Sequence, residues 1–574
     1  MAEYLSPGVY VEEFESGGKP MEGVSTSTAG FIGLAERGYC EGIPQLVTNF
    51  ADFKRKYGGY LSDSEFGEYR FLAYAVEHFF VNGGSRCFVM RVAPSDAKFA
   101  EGVKSSGDKE VIRLKAKNPG MWGNNIQVIV SPAGKAKTQV LEILGDNRYK
   151  VKSSAGFNVG DVVVFSDKKT LVYNKVVKSQ DNIIEFAEEY GPEVVDKNLL
   201  PAKVITTCEI NVEVRYDDIE ELYENVSFNV QAANYVDKKL ARSDLLTINY
   251  VGNPDGIVGP FQQLAEEGSA VVSVNLEGGG NGSLGKISAA DFIGTDNGPG
   301  KRTGIQAFVD NDSVSIMAIP GVTDPNVQLM LTAHCENLGS RFAVLDLPRE
   351  SKKVADVITH RDMFDTNYAA LYHPWLEVFD PLDKKNLMIP PSGSILGIYA
   401  RSDNTRGVHK APANEVVRAC VGLDCQYNKG EQDILNPKGV NLIRAFAGQG
   451  IRVWGARTAT SDPSWKYVNV RRLFIFIEES IKANTNWVVF EPNDELLWVR
   501  VKRTIDVFLT GLWRLGSLAG ASTAEAFFVD VGRTTMSQDD IDNGRLVCII
   551  GVAPVKPAEF VIFRITQKTS ESGE

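Results

Sequence analysis

TAGFIGL at residues 28–34, FGEYRFLAYAVEHFF at 66–80 and RCFVMRV at 86–92 decide the fold of this chain. The outer two are short apolar runs that read as buried strands, and the middle one reads as a helix. Strand, helix, strand predicts an α/β layer. Past Ala93 the character changes. Short alternating runs such as VIRLKAK, NIQVIV, QVLEIL, DVVVF, KTLVYNKVV, NIIEF and INVEVRY are separated by turn clusters such as AKNPGMWGNN and GDNR. Close strands with turn punctuation predict a β-sandwich or barrel inserted into the α/β domain, which resumes at Leu245 with LLTINYV. Strand and helix alternate again from Ala270: AVVSVNL, VSIMAIP at 314–320, a helix over 326–338 and FAVLDLP at 342–348. A third segment begins near Tyr372, with helical candidates at 469–483 and 494–515 and terminal strands at 545–552 and 559–567.

The expected class is therefore α+β and multidomain. An α/β domain spans 21–92 plus 244–371, an inserted β-sandwich-like domain 93–243, and an α+β domain 372–556. Extended β-arms occupy 1–20 and 557–574. In MAEYLSPGVYVEEFESGGKP, Ser6-Pro7-Gly8 is a turn signal, Val9 to Phe14 a short strand and Gly17-Gly18-Lys19-Pro20 a hinge. A strand cut off by such a hinge needs a sheet edge for its backbone groups. It either folds back on its own domain or joins a neighbouring molecule. EFVIFRITQ at 559–567, set off by Val555-Lys556-Pro557, poses the same choice at the other end.

At 574 residues the length suggests about three or four domains. Apolar content of 43% beside 23% charged residues supplies a sizeable core. A formal charge of −12 weighs against direct nucleic-acid binding and against docking on an anionic membrane. No signal-like segment opens the chain, and its longest apolar runs are roughly half a bilayer span, so a cytoplasmically made soluble protein is expected. Cys40, Cys87, Cys208, Cys335, Cys420, Cys425 and Cys548 include no C-x-x-C pair and read as buried free thiols, with a Cys420–Cys425 bridge left open.

The sharpest enzyme-like string is LEGGGNGSLGKIS at 276–288, directly after a strand. Gly280, Gly285 and Lys286 fit the first seven positions of a phosphate-binding loop, and Asp346 could mimic its Mg²⁺-binding carboxylate. The eighth position must offer a hydroxyl to the metal, and here it is Ile287. A glycine-rich surface loop accounts better for the string; nucleotide binding at 280–288 is the runner-up. His78, His334, His360, His373 and His409 show no metal-ligand spacing, and no nucleophile elbow is present. No catalytic residue, cofactor or metal is assigned. Arg500, Lys502, Arg503 and Arg514 punctuate the last long helix, either as a solvated face or as a charged docking rail for a partner.

Segments spread over most of the chain resemble the contractile tail sheath proteins of bacteriophages and related injection machines. They are YLSPGVYVEE and STSTAGFIGLAERG near the start, NPGMWGNNIQV at 118–128, VRYDDIEELYENVSFN at 214–229 and LEGGGNG at 276–282. DFIGTDNGPGKRTGIQAFVDNDSVSIMAIPG at 291–321, HPWLEVFDP at 373–381 and IPPSGSILGIYARSDNTRGVHKAPAN at 389–414 follow. ILNPKGVNLIRAFAGQGIRVWGART at 434–458 and YVNVRRLFIFIEESI at 467–481 complete them, while a β-rich stretch at 131–205 departs from the simplest members. The resemblance implies a non-catalytic subunit of a virion tail or injection particle, assembled in the host cytoplasm. Copies would stack as a helical homopolymer of hexameric rings around an inner tube, with baseplate and tail terminator proteins as further partners. Direct nucleic-acid contact and membrane insertion are not implied. It makes Val9, Tyr10, Val11 and Phe14, and Phe560, Ile562, Phe563 and Ile565, the strands donated to neighbours. It turns residues 372–574, with Arg500, Lys502 and Arg503, toward the tube and the β-insertion outward.

Overall fold

The strand Ala29–Leu34 is buried along its whole length, as its unbroken apolar run requires. In the computed structural model it lies inside a nine-stranded sheet; residues 21–106, 108–145, 147–166, 171–188, 204–252, 257–562 and 564 are described. Its six central strands run parallel in the order Cys87–Val92, Ala29–Leu34, Ile316–Ala318, Phe342–Asp346, Ala369–His373, Val440–Phe446. Alternate side chains feed opposite faces. Ala29 and Phe31 join a core with the helices Leu72–Asn82 and Ser392–Arg406. Ile32 and Leu34 join another with the helix Pro325–Leu338. The first two helices pack backbone to backbone. A Cβ on Gly393 or Gly397 would sit 2.4 Å from the carbonyl oxygen of Ala75 or of Phe79, so only glycine permits the approach.

The sheet runs across the boundary expected at 371/372. Ala369–His373 straddles it, and Val440–Phe446 and Gly450–Val453 extend the sheet beyond it. A separate apolar core then gathers the helices Val468–Asn484 and Glu495–Arg514 with a two-stranded sheet, Phe527–Val531 against Cys548–Val552.

The insertion also differs from its expected bounds. LLTINYV does not return to the α/β sheet; Leu246–Tyr250 pairs with Lys109–Ala116 in a three-stranded sheet. Val272–Asn275 likewise pairs with Gln127–Ala133 in a four-stranded one. Both alternate buried with exposed positions, the pattern of half-buried antiparallel strands. The two sheets share one core, including Val111, Trp122, Val128, Val212 and Leu246. Six strands of the departing stretch, from Lys137–Gly145 to Val204–Thr207, close a barrel filled by Tyr149, Phe165 and Phe186.

The barrel's entrance and exit touch: a Cβ on Gly134 would lie 2.6 Å from the Thr206 side chain. Replacing residues 136–206 with a short Gly-Ser linker should therefore leave the remaining domains folded, with urea-unfolding free energy unchanged within ~0.5 kcal/mol. Collapse of the near-ultraviolet dichroism of the shortened chain would contradict this separability.

Candidate functional site: the roots of the two tails

The helix Val468–Asn484 is amphipathic, with Leu473 and Ile477 in the C-terminal core. At 17 residues it is about 25 Å long. Each end holds the root of one chain terminus.

At its C-terminal end, Asn484 exchanges two hydrogen bonds with Glu22: the Glu22 N–H donates to Oδ1 at 3.3 Å and Nδ2 donates to the Glu22 carbonyl at 2.8 Å. The Val24 N–H donates to Ser480 Oγ at 3.1 Å. Gly23 passes over Phe476 so closely that a Cβ would come within 2.7 Å of the ring. Arg472, on the same helix, is 3% exposed and pairs with the 4% exposed Asp403 of Ser392–Arg406 at 2.5 Å. The Thr26 hydroxyl donates to Asp403 at 2.6 Å, and Arg472 donates to the Thr26 carbonyl at 3.0 Å. The guanidinium also lies over the Tyr399 ring, 4.6 Å from its centroid.

At the N-terminal end, Glu559 is clamped. Arg457 donates to its two oxygens at 2.7 and 2.6 Å, the Tyr467 hydroxyl at 3.2 Å, and Lys466 stands 3.7 Å away. Burial pushes the Glu559 carboxyl up, but the hydrogen bonds and charge of Arg457, backed by Lys466, outweigh it and hold the group below its ordinary 4.5. Beyond this clamp, Phe560, Val561 and Ile562 are 74%, 69% and 79% exposed and join no strand. Val9, Tyr10, Val11, Phe14, Phe563 and Ile565 lie outside the described residues.

The sheet Phe527–Val531/Cys548–Val552 is the one element of its core with two outer edges and no third strand among the described residues. Phe527, Val529 and Val531 face inward, while the Phe528 ring lies outward across Gly551. Two strands alone are marginal, and such an edge is a template for a further strand.

On the helix Glu495–Arg514 the basic residues stand in a mixed face. Arg500 stacks on Trp487 at 4.6 Å and pairs with Glu491 at 3.7 Å. Lys502 donates to the Val529 carbonyl. Arg503 has no partner among the described residues and stands between exposed Val499 and Val507.

In the glycine-rich loop several backbone donors are already spent inside the protein. Gly279 donates to Asn124 Oδ1 at 2.7 Å, Gly280 to the Lys98 carbonyl at 3.0 Å and Ser283 to Asp96 at 3.0 Å. The loop seals the two crossings between the insertion and the α/β domain. Asp346 is an internal brace, accepting from the Ser392 N–H and hydroxyl and from the Gly321 N–H, and burial pushes it up to about 6. All seven cysteines are free, so Cys420 and Cys425 form no bridge. Among the described residues no group of three or more His, Cys, Asp or Glu could hold a metal, and no helix is long and apolar enough to cross a membrane.

These features define a multidomain α+β chain whose two termini are rooted on one helix of its C-terminal domain. Its central and C-terminal parts match the phage tail sheath family: residues 286–459 match the phage tail sheath protein central domain and 460–568 the phage tail sheath C-terminal domain. The tail sheath protein of Vibrio phage KVP40 is 28% identical over 36% of this chain and 31% of its own length. That of Escherichia phage P2 is 25% identical over 43% of this chain and 65% of its own. The chain thus spans less than two thirds of either relative. The sheath of an extracellular contractile injection system in its contracted state shares the fold, with a TM-score of 0.52 over 99% of both chains at 20% identity.

Removing one partner of a buried ion pair strands the other, so Asp403→Ala should destabilise the chain by about 3–5 kcal/mol in urea unfolding. Glu559 has a depressed value, so its contribution is present above pH 4.5 and disappears as pH falls through the folded value. Protection of the amides over residues 553–562, taken relative to the intrinsic exchange rate at each pH, should fall on acidification through that value, and Glu559→Gln should show the lowered protection at neutral pH as well.

Proposed function

We propose that this chain is the structural subunit of a contractile sheath. Many copies polymerise helically, in stacked six-membered rings, around an inner tube, and contraction drives that tube through a target cell envelope. The observation that carries this reading is the pair of tails rooted at opposite ends of Val468–Asn484, beside a two-stranded sheet with no third strand among the described residues. Residues Val9 to Phe14 and Phe560 to Ile565 are the strands exchanged between copies. Strand addition supplies backbone hydrogen bonds, while rooted tails let bodies rotate without releasing their neighbours. A head-to-tail interface whose rotation does not close yields an open helical polymer. Contraction then needs no nucleotide: apolar surface newly buried between copies, at about 25 cal/mol per Å², sums over the whole sleeve.

The C-terminal domain, beginning where the central sheet ends, faces the tube through Arg503 and its apolar flanks, with Arg500 and Lys502 beside them. The sandwich and barrel face outward. Baseplate and terminator proteins cap the polymer, and the particle is a phage tail or injection machine assembled in the producing cell.

Deleting residues 1–16 should leave a folded monomer that forms no sleeves in negative-stain microscopy. Sleeves of normal length from that chain would defeat the exchange of tails.

A further inference from the structure

Beside the Glu559 clamp runs an open groove of about 870 Å³, walled on one side by the chain's own tail 555–561 and on the other by the helix Lys429–Leu435. That volume falls within the roughly 300–1,000 Å³ that small-molecule sites occupy. Its floor is aromatic: Trp454 is partly exposed, and its ring packs 4.4 Å from that of Phe446. Cations stand on both walls, in a chain of net charge −12. Lys556 belongs to the tail, Lys429 opens the facing helix and Arg406 lines the groove with them; none has an ion-pair partner among the described residues. Arg444 donates to Gln432 at 2.5 Å and lies 5.5 Å from the centroid of the Phe446 ring. The acids lining the groove are Asp433 and Glu559, and Glu559 is consumed by Arg457.

We infer that in a free copy this groove is a site for a small planar aromatic dianion, and that its occupant pins the C-terminal tail. Each part of that chemistry answers a feature of the groove. A partly open indole offers its ring to another flat ring, in an offset or edge-on contact. Unpaired lysines on two facing walls call for a negative group at each side of the ligand, since one group neutralises one wall only. Sulfonates or carboxylates there accept charge-assisted hydrogen bonds from the lysine and guanidinium donors. Because Lys556 sits on the tail and Lys429 on the body, a ligand held by both ties the segment 555–561 to the helix Lys429–Leu435. The consequence for assembly rests on the exchange of tails proposed above. A tail held against its own body is withdrawn from its neighbours, so the ligand slows polymerisation by mass action on the free copy.

The test titrates a naphthalene disulfonate against the full chain, kept dilute so that copies are free. Saturable binding is expected, with a Kd on the order of 100 µM or tighter. Ethane disulfonate carries the charges without the ring, and naphthol the ring without the charges; each should bind at least about tenfold more weakly. Lys429→Glu combined with Lys556→Glu, both at exposed positions, should weaken the disulfonate at least about tenfold as well. Should that variant fail to fold, Trp454→Leu makes the same test from the floor of the groove. Amide protection over residues 553–562 should rise on binding, and sleeves in negative-stain microscopy should form more slowly. No saturation at millimolar ligand, a half-ligand that binds as tightly as the whole, undiminished binding by the folded variant, or unchanged tail protection overturns the site and leaves tail exchange standing. A ligand that protects the tail without changing the rate of sleeve formation overturns the control of assembly and counts against tail exchange, while the site stands.

Discussion

Arg472 and Asp403 form the ion pair on which the arrangement of the protein depends. Three stretches distant in sequence meet there: the entry segment at Thr26, the central helix Ser392–Arg406 and the C-terminal helix Val468–Asn484. A buried ion pair is tolerable only when its remaining donors and acceptors are satisfied. Here Asp403 also accepts from Thr26, and Arg472 spends a further N–H on the Thr26 carbonyl and its face on Tyr399. Tyr399 in turn shares a hydroxyl hydrogen bond of 2.8 Å with Tyr372, on a strand of the central sheet. The polar network thus links the C-terminal core to the parallel sheet by directional bonds, which fix orientation as well as distance.

The insertion is held to the body by a different device. Its two crossing chains pair with each other, Lys98 with Gly280 and Glu101 with Glu277, so the neck is a short ladder rather than two separate linkers. Arg37 braces it from the body, its guanidinium 4.5 Å from the centroid of the Tyr216 ring, while that tyrosine's hydroxyl donates to Glu36. Arg91, fully enclosed, donates to the carbonyls of Ala35 and Pro119 on the two sides of the junction. Among the described residues the barrel has no such brace from the α/β domain; it joins the sandwich at adjacent strand ends and through Asn229, whose Nδ2 donates to the Val159 carbonyl and to Asp161.

Elements with a strong local period were legible in the sequence. The last two long helices fall within a residue of their expected spans, and TAGFIGL and RCFVMRV are neighbouring parallel strands. Partnership was not legible. LLTINYV has the composition of a strand in either sheet, and only its half-exposed face reveals the antiparallel one. Ala369–His373 and Val440–Phe446 lie side by side although the chain between them builds two helices and a separate small sheet, a pairing no local pattern encodes. The site was hidden for a related reason. Arg471-Arg472 interrupts an apolar run, which flags a buried charge, but its partner lies far upstream in a helix that reads as ordinary. Glu559 reads as the first residue of a strand and serves instead as an anchor on Arg457.

In the proposed exchange of tails, the rooting of both on one stiff helix sets how copies would find one another. Once one tail of a copy is captured, the other is confined to a volume set by the length of chain beyond its root, so its local concentration reaches the millimolar range typical of short tethers. The second capture is then effectively unimolecular, and each added copy closes two junctions for a single loss of overall translational freedom. Growth therefore favours the ends of an existing polymer over fresh pairs in solution. A helix about 25 Å long, acting as a ruler between two anchors, would give the proposed assembly its avidity without requiring either strand to bind tightly alone.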